Sequence, residues 1–230
     1  MSRLNKSSCG LILCYVTNRE SLDTHKSGES LEILSEKIEA AMAAGVNWIQ
    51  LREKNLSGKD CSALSREALQ RAAKLHTGKA TRTRILVNDR LDVALSEHAG
   101  GVHLGEKSLP PVETRRLVEN CSDLKDFVIG VSCHSLEAAK SAASAGADYL
   151  FFGPIFATPS KVAFGSPQGL ERLAEVCRAV SIPVLAIGGI TLANASLCLA
   201  AGASGIAAIR LFQDANDISS IVRTLLKQAP

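Results

Sequence analysis

The sequence predicts a single (β/α)8 (TIM) barrel of the α/β class, with residues 1–230 forming one domain. The first observation behind this prediction is an internal repeat of an Ala-rich helix end, a glycine and a short apolar strand. The glycines of the repeat are Gly45, Gly100, Gly146 and Gly202. Their spacing of roughly 50 residues corresponds to about two βα units. Glycine suits the position after a helix because it accepts a positive φ.

The second observation is a set of apolar segments that alternate with the strands of the repeat. These segments are Ile12–Thr17, Arg84–Asn88, Phe127–Ser132 and Pro183–Gly188. They supply strands one, three, five and seven, and the repeat supplies strands two, four, six and eight. Each segment is β-branched or Leu-rich and is followed by polar or Gly residues and a helical pattern. Eight strand–helix units in 230 residues is what a (β/α)8 barrel needs.

A doubly wound open sheet is the alternative architecture. Such a sheet usually has about five or six strands and a Gly-rich loop after the first strand. Here the first strand ends in Val16-Thr17-Asn18-Arg19, without a G-x-G-x-x-G motif. The barrel is therefore favoured, and the pattern shows no second domain and no linker.

Composition excludes several function classes. The 26 Lys+Arg and 23 Asp+Glu residues leave a net charge of +3, and the scattered basic residues argue against nucleic acid as a partner. Aromatic residues make up 4%, too few for a platform that stacks single strands. With 46% apolar and 21% charged residues, the chain has the balance of a soluble globular protein.

The seven cysteines include no C-x-x-C pair, and an odd number cannot all pair within one chain. Most lie among apolar residues, so we expect reduced thiols and a cytoplasmic protein. Residues 1–10 are polar and lack the apolar region of a signal peptide, and we expect a disordered N-terminal extension there. The apolar run Leu11–Val16 has the length of a strand, so no membrane anchor is expected.

The active site of such a barrel lies at the carboxyl ends of the strands. Strand two ends in Gln50-Leu51-Arg52-Glu53-Lys54. Alternation along the strand places Gln50, Arg52 and Lys54 on one side and the two intervening residues on the other. A cation that faces the barrel mouth needs a partner, and an anionic ligand would provide one. The alternative is a surface Arg–Glu–Lys cluster beyond the strand.

Strands three and five also end in polar residues. Asn88 and Asp89 either cap the next helix or bind ligands, the amide a phosphate and the carboxylate Mg²⁺. The cations of strand two favour phosphate with Mg²⁺. Strand five ends in Ser132, Cys133 and His134. His134 is either an acid/base or an exposed loop residue, and a Cys133 nucleophile is disfavoured because no third group orients the pair.

The longest irregular stretch, Gly153–Gln168, follows strand six and is a candidate lid. Its Thr158, Ser160 and Lys161 are suitable phosphate ligands, and the alternative is a solvated turn.

Strands seven and eight end near Gly188-Gly189 and Ile209-Arg210. Backbone N–H groups of these two loops bind phosphate in many barrels. We therefore predict two anion sites, a cationic one from strands two, three and six and a backbone one from strands seven and eight.

Taken together, these strand ends resemble thiamine phosphate synthase over roughly Leu13 to Phe212. Any one motif alone is weak, whereas all six in this order on a barrel are specific. The six motifs are Gln50-Leu-Arg-Glu-Lys54, Val87-Asn-Asp-Arg90, Gly101-Val-His-Leu-Gly105, Gly130-Val-Ser-Cys-His134, Gly153-Pro-Ile-Phe-Ala-Thr-Pro-Ser-Lys161 and Ala186-Ile-Gly-Gly-Ile190.

The resemblance implies a transferase of thiamine biosynthesis that acts on small molecules. It would join a hydroxymethylpyrimidine diphosphate to a thiazole phosphate and release pyrophosphate. The reaction would pass through a pyrimidine carbocation and need no enzyme nucleophile, which agrees with the lack of an evident triad. Cations and Mg²⁺ at the leaving diphosphate would stabilise the charge that builds in the transition state.

The matching motifs also imply the site residues. Catalytic roles would fall to Arg52, Lys54, Ser132 and Lys161. Substrate contacts would come from these four and from Gln50, Asn88, Thr158, Ser160, Gly189, Ile209 and Arg210. Asp89 would bind Mg²⁺.

The sequence departs from the family at two positions. The family usually has a second Mg²⁺-binding Asp in Gly-Gln-Glu-Asp, where this chain reads Gly105-Glu106-Lys107-Ser108. With Ser108 at that position, either Glu106 is the second ligand or water and the diphosphate complete the metal shell. After Ile209 the family has a small Ser, and Arg210 either pairs with a phosphate or blocks the pocket.

Two alternative functions stay open. A sister family with the same fold, the thiazole tautomerase, isomerises the precursor of the thiazole phosphate with a histidine where His134 stands. Retention of Lys54, Asp89 and Lys161 favours the synthase. A non-catalytic protein that binds thiazole phosphate or thiamine phosphate is the other alternative, and the two departures would then be marks of lost catalysis. The Ala-rich helix faces suit a monomer or a homo-oligomer.

Overall fold

Eight parallel strands form a closed barrel in which each strand pairs with its neighbours in sequence and the first pairs with the eighth. The predicted (β/α)8 barrel is thus confirmed. The computed structural model describes residues 4, 6, 10–22, 27–75, 83–105, 107–121, 124–158 and 166–228. Most of the extension expected at residues 1–10 lies outside these ranges. No helix within them is long and apolar enough to cross a membrane.

The strands agree closely with the segments predicted from apolar patterning. In chain order they are β1 Ile12–Val16, β2 Trp48–Leu51, β3 Arg84–Asn88, β4 Gly101–Leu104, β5 Val128–Cys133, β6 Tyr149–Phe152, β7 Val184–Ile187 and β8 Gly205–Ala208. Each is buried along most of its length, because helices cover the outer face and side chains fill the interior.

The helices lie on the outside of the barrel and connect successive strands. They are α1 Ser27–Ala43, α2 Gly58–Leu75, α3 Leu91–Ser96, α4 Pro111–Glu119, α5 Leu136–Ser144, α6 Gly169–Ala179, α7 Ala195–Ala200, α8 Arg210–Gln213 and α9 Ile218–Lys227. A 3-10 turn at Arg19–Ser21 follows β1. The last two helices complete the unit that begins with β8.

Three of the four repeat glycines follow helices with positive φ, as predicted: Gly45, Gly146 and Gly202. The prediction is wrong for Gly100. After α3 the positive φ, 52°, falls on His98 instead. At Gly100 an added Cβ would lie 2.5 Å from Arg84 Cγ, so close packing against β3 requires this glycine.

The pleat divides the side chains of each strand between two apolar regions. The interior of the barrel is filled by Ile12, Cys14, Val16, Trp48, Leu86, Val128, Tyr149, Phe151, Leu185 and Ala207. Alternate residues of the same strands, such as Leu13, Ile49 and Leu150, pack against the helices. The barrel is therefore a packed core whose interior leaves room for a ligand only at its ends.

The cysteines within the described ranges are all unpaired, and all but Cys121 are buried. Burial raises the pKa of Cys177 to about 11 and that of Cys198 to about 12. These thiols are therefore protonated core residues rather than nucleophiles. Cys9 lies outside the described ranges.

Close approach of β1 and β8 depends on Gly205. A Cβ at this position would lie 2.0 Å from the Ile12 carbonyl oxygen and 2.8 Å from its carbonyl carbon. These are backbone atoms of a neighbouring strand, so they cannot rotate out of the way. Any larger residue must push the two strands apart where the barrel closes.

We expect Gly205→Ala to lower the free energy of unfolding by about 1–3 kcal/mol, because overpacking displaces backbone. Urea denaturation measures this change. Gly10→Ala is the control, since no atom lies within 4 Å of a Cβ there, and its effect should stay within about 0.5 kcal/mol. Equal small effects of both substitutions would contradict the close approach of the two strands.

Candidate active site

Four polar side chains lie near the carboxyl ends of neighbouring strands and share one facing, as the strand pairings show. They belong to β2, β3, β4 and β5 and are Gln50, Asn88, His103 and Ser132. The pleat gives them the same alternation as the interior residues Trp48 and Leu86, so they face into the barrel. We call these four side chains the polar layer. It lies above the apolar interior, at the end of the barrel where active sites of this fold are built.

One half of the polar layer is an amide pair. Gln50 Nε2 donates to Asn88 Oδ1 over 2.8 Å, and Gln50 is 1% exposed. Gln50 Oε1 is buried without a hydrogen-bond partner among the residues that the structure describes. A buried polar atom without a partner costs about 1–3 kcal/mol, so a donor group of a ligand would be stabilising here.

Thr17, directly after β1, holds the end of β2. Its hydroxyl oxygen accepts from the Arg52 amide at 2.9 Å, and its hydroxyl donates to Glu53 Oε1 at 2.6 Å. Glu53 Oε2 accepts from the Arg19 amide at 3.0 Å and lies 3.8 Å from Arg19 Nε. Glu53 is therefore occupied by the segment after β1, and its negative charge is not paired with Arg52.

Arg52 brings a positive charge close to the polar layer, where it acts on His103. Its guanidinium is partly buried and makes no ion pair within the described ranges. Burial lowers the pKa of Arg52, while the nearby carboxylates of Glu53 and Glu20 act in the opposite direction. Arginine stays charged under these conditions, so an anionic ligand would stabilise it. Lys54, two residues further, is exposed.

The other two side chains of the polar layer, His103 and Ser132, form a hydrogen-bonded series with Tyr149 of the barrel interior. His103 Nε2 lies 2.9 Å from Ser132 Oγ, and His103 Nδ1 lies 3.0 Å from the Tyr149 hydroxyl. Burial, helped by the positive charge of Arg52, lowers the pKa of His103 to about 3. The imidazole is therefore neutral at physiological pH.

The hydrogen-bonded series resembles the arrangement around an activated catalytic serine, but His103 is not basic enough to activate Ser132. A general base works best with a pKa near the operating pH, and the pKa of His103 is far below it. His103 therefore does not deprotonate Ser132. The sequence reasoning found no such pair and assigned no role to His103, although alternation along β4 would have placed it inside the barrel.

Asp89 lies at the edge of the polar layer in an unusual backbone conformation. Its φ is 65°, and its amide donates to the His103 carbonyl oxygen at 2.8 Å. The helix-capping alternative for Asn88 and Asp89 is wrong, because the N-cap of α3 is Arg90 and no side chain caps it. The Asp89 carboxylate is instead exposed at the barrel mouth.

Ser108 stands directly against Asp89. Its hydroxyl donates to Asp89 Oδ1, and its oxygen accepts from the Gly105 amide at 2.7 Å. Carboxylate and hydroxyl oxygens are the kind of ligand that Mg²⁺ takes. Within the described ranges no cluster of three His, Cys, Asp or Glu residues is placed to hold a metal, and Glu106 lies outside them.

The loops after β6 and β7 are packed tightly together. The amides of Ile155 and Phe156 donate to the carbonyl oxygens of Ile187 and Gly188, both at 3.0 Å. Gly189 has a φ of +68°, and a Cβ there would lie 2.8 Å from the carbonyl oxygen of Ala157. This contact excludes any other residue at Gly189 without movement of the neighbouring loop.

The predicted lid is described only in part. Thr158 is half-buried just beyond the tight contact with Gly189. Ser160 and Lys161, the other two predicted ligands of this stretch, lie outside the described residues.

The structure describes the loops after β7 and β8, where a backbone anion site is predicted. The amides of Gly189 and Ile209 find no acceptor in the part of the chain that the structure describes. Ile209 precedes α8, and Arg210 is exposed at its first position. An exposed Arg210 does not fill the barrel mouth, which disfavours the blocked-pocket alternative.

The segment after β5 separates Cys133 from His134. Cys133 is buried in the apolar region between barrel and helices, so it does not face the polar layer. His134 Nδ1 is hydrogen-bonded to the carbonyl oxygen of Gly153. The side chain of His134 is thereby tied to the start of the loop after β6.

Comparisons with known proteins agree with this geometry. The family model described as thiamine monophosphate synthase matches residues 14–212. A thiamine-phosphate synthase from Methanocella arvoryzae is 44% identical over 185 residues, 80% of this chain and 82% of the relative. One from Roseiflexus sp. is 38% identical over 218 residues, 95% of this chain and 85% of the relative. A solved thiamine phosphate pyrophosphorylase from Pyrococcus furiosus has a TM-score of 0.77 at 31% identity and covers 97% of this chain and 96% of its own.

The matched region begins in β1 and ends in α8, so it contains part of β1, all of the other seven strands and the polar layer. The relatives are matched over most of their own length as well. The chain therefore belongs to the thiamine monophosphate synthase family.

Proposed function

We propose that this chain joins a hydroxymethylpyrimidine diphosphate to a thiazole phosphate, forming thiamine phosphate and releasing pyrophosphate. The observation that carries the proposal is the partly buried Arg52 guanidinium, which has no ion pair within the described ranges and borders neutral polar side chains. A diphosphate would supply the direct ion pair that this guanidinium does not make with the described residues. Relatives 44% and 38% identical to the chain are named for this activity.

Cleavage of the C–O bond to the diphosphate moves negative charge onto the leaving group. Cations placed beforehand at that position stabilise the transition state more than the bound substrate. Arg52 suits this role because its guanidinium donates two parallel hydrogen bonds to phosphate oxygens. Lys54 adds a point charge nearby, and Lys161 would add another from the loop after β6. Gln50 and Asn88 would orient the same substrate.

Mg²⁺ is the cofactor that we propose for this site, with Asp89 as its protein ligand. The exposed Asp89 carboxylate and the Ser108 hydroxyl beside it are hard oxygen donors that fit the ion. One or two carboxylates commonly hold Mg²⁺, with water and substrate phosphates completing its shell. When bound, the ion would neutralise charge on the leaving diphosphate.

The second substrate would occupy the opposite side of the barrel mouth. The amides of Gly189 and Ile209 would bind the thiazole phosphate, and exposed Arg210 lies beside them. Thr158 and Ser160 would contact this substrate or the diphosphate from the loop after β6. The two anionic groups would thus be held apart by the width of the barrel, with the reacting carbon between them.

The carbocation route needs no covalent intermediate with the enzyme. Neutral His103 leaves Ser132 as a hydroxyl rather than an alkoxide, so Ser132 contacts substrate without attacking it. The carbon–oxygen bond would break toward the cationic side of the site. The thiazole would then form the new bond from the other side.

We also propose that the protein works in the cytoplasm. The cysteines of the described ranges are unpaired, and buried ones such as Cys14 and Cys198 lie in the packed core. Proteins of oxidising compartments more often pair their cysteines, whereas cytosolic thiols stay reduced.

Pyrophosphate release by the purified protein tests the proposed activity. The reaction contains both substrates and Mg²⁺, and the control omits the thiazole phosphate. We expect release that needs both substrates, together with thiamine phosphate. Tautomer formation without pyrophosphate release would identify the His134-dependent alternative, and binding of thiazole phosphate without any turnover would identify the non-catalytic one.

We expect Arg52→Ala to lower kcat by about 100- to 1000-fold, as loss of a preplaced charge donor does elsewhere. Steady-state kinetics measure the loss, and circular dichroism verifies that the fold is intact. Arg66→Ala is the matched control, because Arg66 pairs with Glu97 on the outer surface of α2, and its turnover should stay within about twofold. Normal turnover of the Arg52 variant would remove Arg52 from the diphosphate site.

We expect Ser108→Asp to reduce the Mg²⁺ concentration for half-maximal activity, because a second carboxylate would join Asp89 at the ion. Without Mg²⁺ the same variant should have a lower Tm than the wild type, since two carboxylates would repel each other. A Tm series in EDTA and in Mg²⁺ measures both effects. Ser108→Ala, which only removes a hydrogen bond, should show neither the tighter Mg²⁺ dependence nor the rise of Tm with Mg²⁺. Identical Mg²⁺ titrations for Ser108→Asp and wild type would place the ion elsewhere.

A further inference from the structure

We propose that Tyr149 and His103 act as a positioning pair that makes the Ser132 hydroxyl a hydrogen-bond donor toward the substrate. Tyr149 bonds to His103, and His103 bonds in turn to Ser132, through which the pair would act on the substrate. The part that concerns catalysis rests on the proposed function, whereas the direction of the hydrogen bonds rests on the structure alone.

The direction is set first at Tyr149. Its side chain is fully buried in the barrel interior, with ring centroids of Trp48 at 4.7 Å and Phe151 at 5.5 Å. Burial keeps the phenol protonated, because it raises the pKa of Tyr149 well above its usual value. A buried O–H needs an acceptor. Within the described ranges, the hydrogen-bond partner of this hydroxyl is His103 Nδ1, at 3.0 Å.

The tautomer of His103 follows from this bond. A neutral imidazole has one N–H and one acceptor nitrogen. Since Nδ1 accepts from the Tyr149 hydroxyl, the proton of His103 must be on Nε2. The ring is held in this orientation by Phe151, whose centroid lies 4.1 Å away with an interplanar angle of 35°.

The hydroxyl of Ser132 is then free to donate its proton away from the imidazole. Its oxygen accepts from His103 Nε2 at 2.9 Å, so its own proton cannot point back at the imidazole. Ser132 is half-buried at the carboxyl end of β5, beside the mouth of the barrel. Its O–H is therefore aimed at the substrate, where an anionic oxygen of the leaving group is the matching acceptor. With the other tautomer, Ser132 would present a lone pair to that oxygen.

Gly130 makes this arrangement possible. It precedes Ser132 on the same face of β5, and a Cβ there would lie 2.0 Å from Tyr149 Cζ and 2.3 Å from the Tyr149 hydroxyl oxygen. The phenol ring thus occupies the volume that any other residue at Gly130 would need. Gly130 and Ser132 of the Gly-Val-Ser motif therefore act together. Gly130 leaves space for the Tyr149 ring, and Tyr149 orients Ser132 through His103.

The tautomer can be measured without any substrate. ¹⁵N NMR distinguishes a protonated from an unprotonated imidazole nitrogen, and His103→Gln assigns the signals by removing them. We expect Nε2–H in the wild type and a population with Nδ1–H in Tyr149→Phe. Tyr15→Phe is the matched control, because it removes another buried tyrosine hydrogen bond, to Gln213 at 3.0 Å, and should leave the tautomer unchanged. Nδ1–H in the wild type, or no change in Tyr149→Phe, would overturn the pair.

Kinetics test whether the pair acts through Ser132. We expect Tyr149→Phe to lower kcat about tenfold with little change in KM, and Ser132→Ala to lower it by at least as much. The double variant should be no slower than Ser132→Ala alone, because the tyrosine then has no serine to orient. Multiplied losses in the double variant would overturn the route through Ser132.

A second pair of variants, at His103, tests the proposal even if Tyr149→Phe does not fold. His103→Gln keeps an N–H near the position of Nε2 and should retain several-fold more turnover than His103→Leu. Equal losses in these two would contradict a donor role for His103. A wild-type protein that releases no pyrophosphate would overturn the proposed function, while the protonated nitrogen in that same protein still decides the tautomer.

Discussion

Closure of eight parallel strands into one barrel is the constraint on which the rest of this structure depends. A closed parallel sheet has no edge, so every second side chain must go inside and fill a narrow interior. Large rings such as Trp48, Tyr149 and Phe151 fill it, and glycines such as Gly205 make the room. At the carboxyl end the same rule delivers Gln50, Asn88, His103 and Ser132 to one layer. Geometry that closes the core therefore also assembles the site.

A series of hydrogen bonds connects the apolar core to the candidate site. Tyr149 belongs to the aromatic interior, His103 joins the interior to the polar layer, and Ser132 belongs to the barrel mouth. Burial holds the first two in their neutral forms, so no charge is placed in the core. The positive charge of Arg52 instead lies just beyond the end of β2, where its side chain is only partly buried. Neutral side chains thus fill the interior of the barrel, and the charged Arg52 lies nearer to its open end.

Local patterns predicted most of the fold and part of the site. Apolar segments predicted the strands, and alternation predicted that Gln50 faces into the barrel, as the pairing of β2 with β3 shows. Such patterns could not predict side-chain contacts between segments that are distant in sequence. The Thr17–Glu53 bond joins residues 36 apart in sequence, and the His103–Tyr149 bond joins residues 46 apart. Gly100 was misassigned because helix ends and tight interstrand contacts both select glycine. The repeat located β4, but it could not assign a role to His103, because the partners of that side chain come from β5 and β6.

The clamp formed by Thr17 and Glu53 changes how the Gln-Leu-Arg-Glu-Lys segment should be read. Successive residues of this segment alternate between two different surroundings. Gln50 bonds to Asn88 in the polar layer, whereas Leu51 packs among the core residues and Glu53 bonds to the segment after β1. Because the two sets face different surroundings, evolution can exchange one without rebuilding the other. A barrel that acquires a new substrate can therefore substitute Gln50 and Arg52, while Leu51 and Glu53 keep the end of β2 in place.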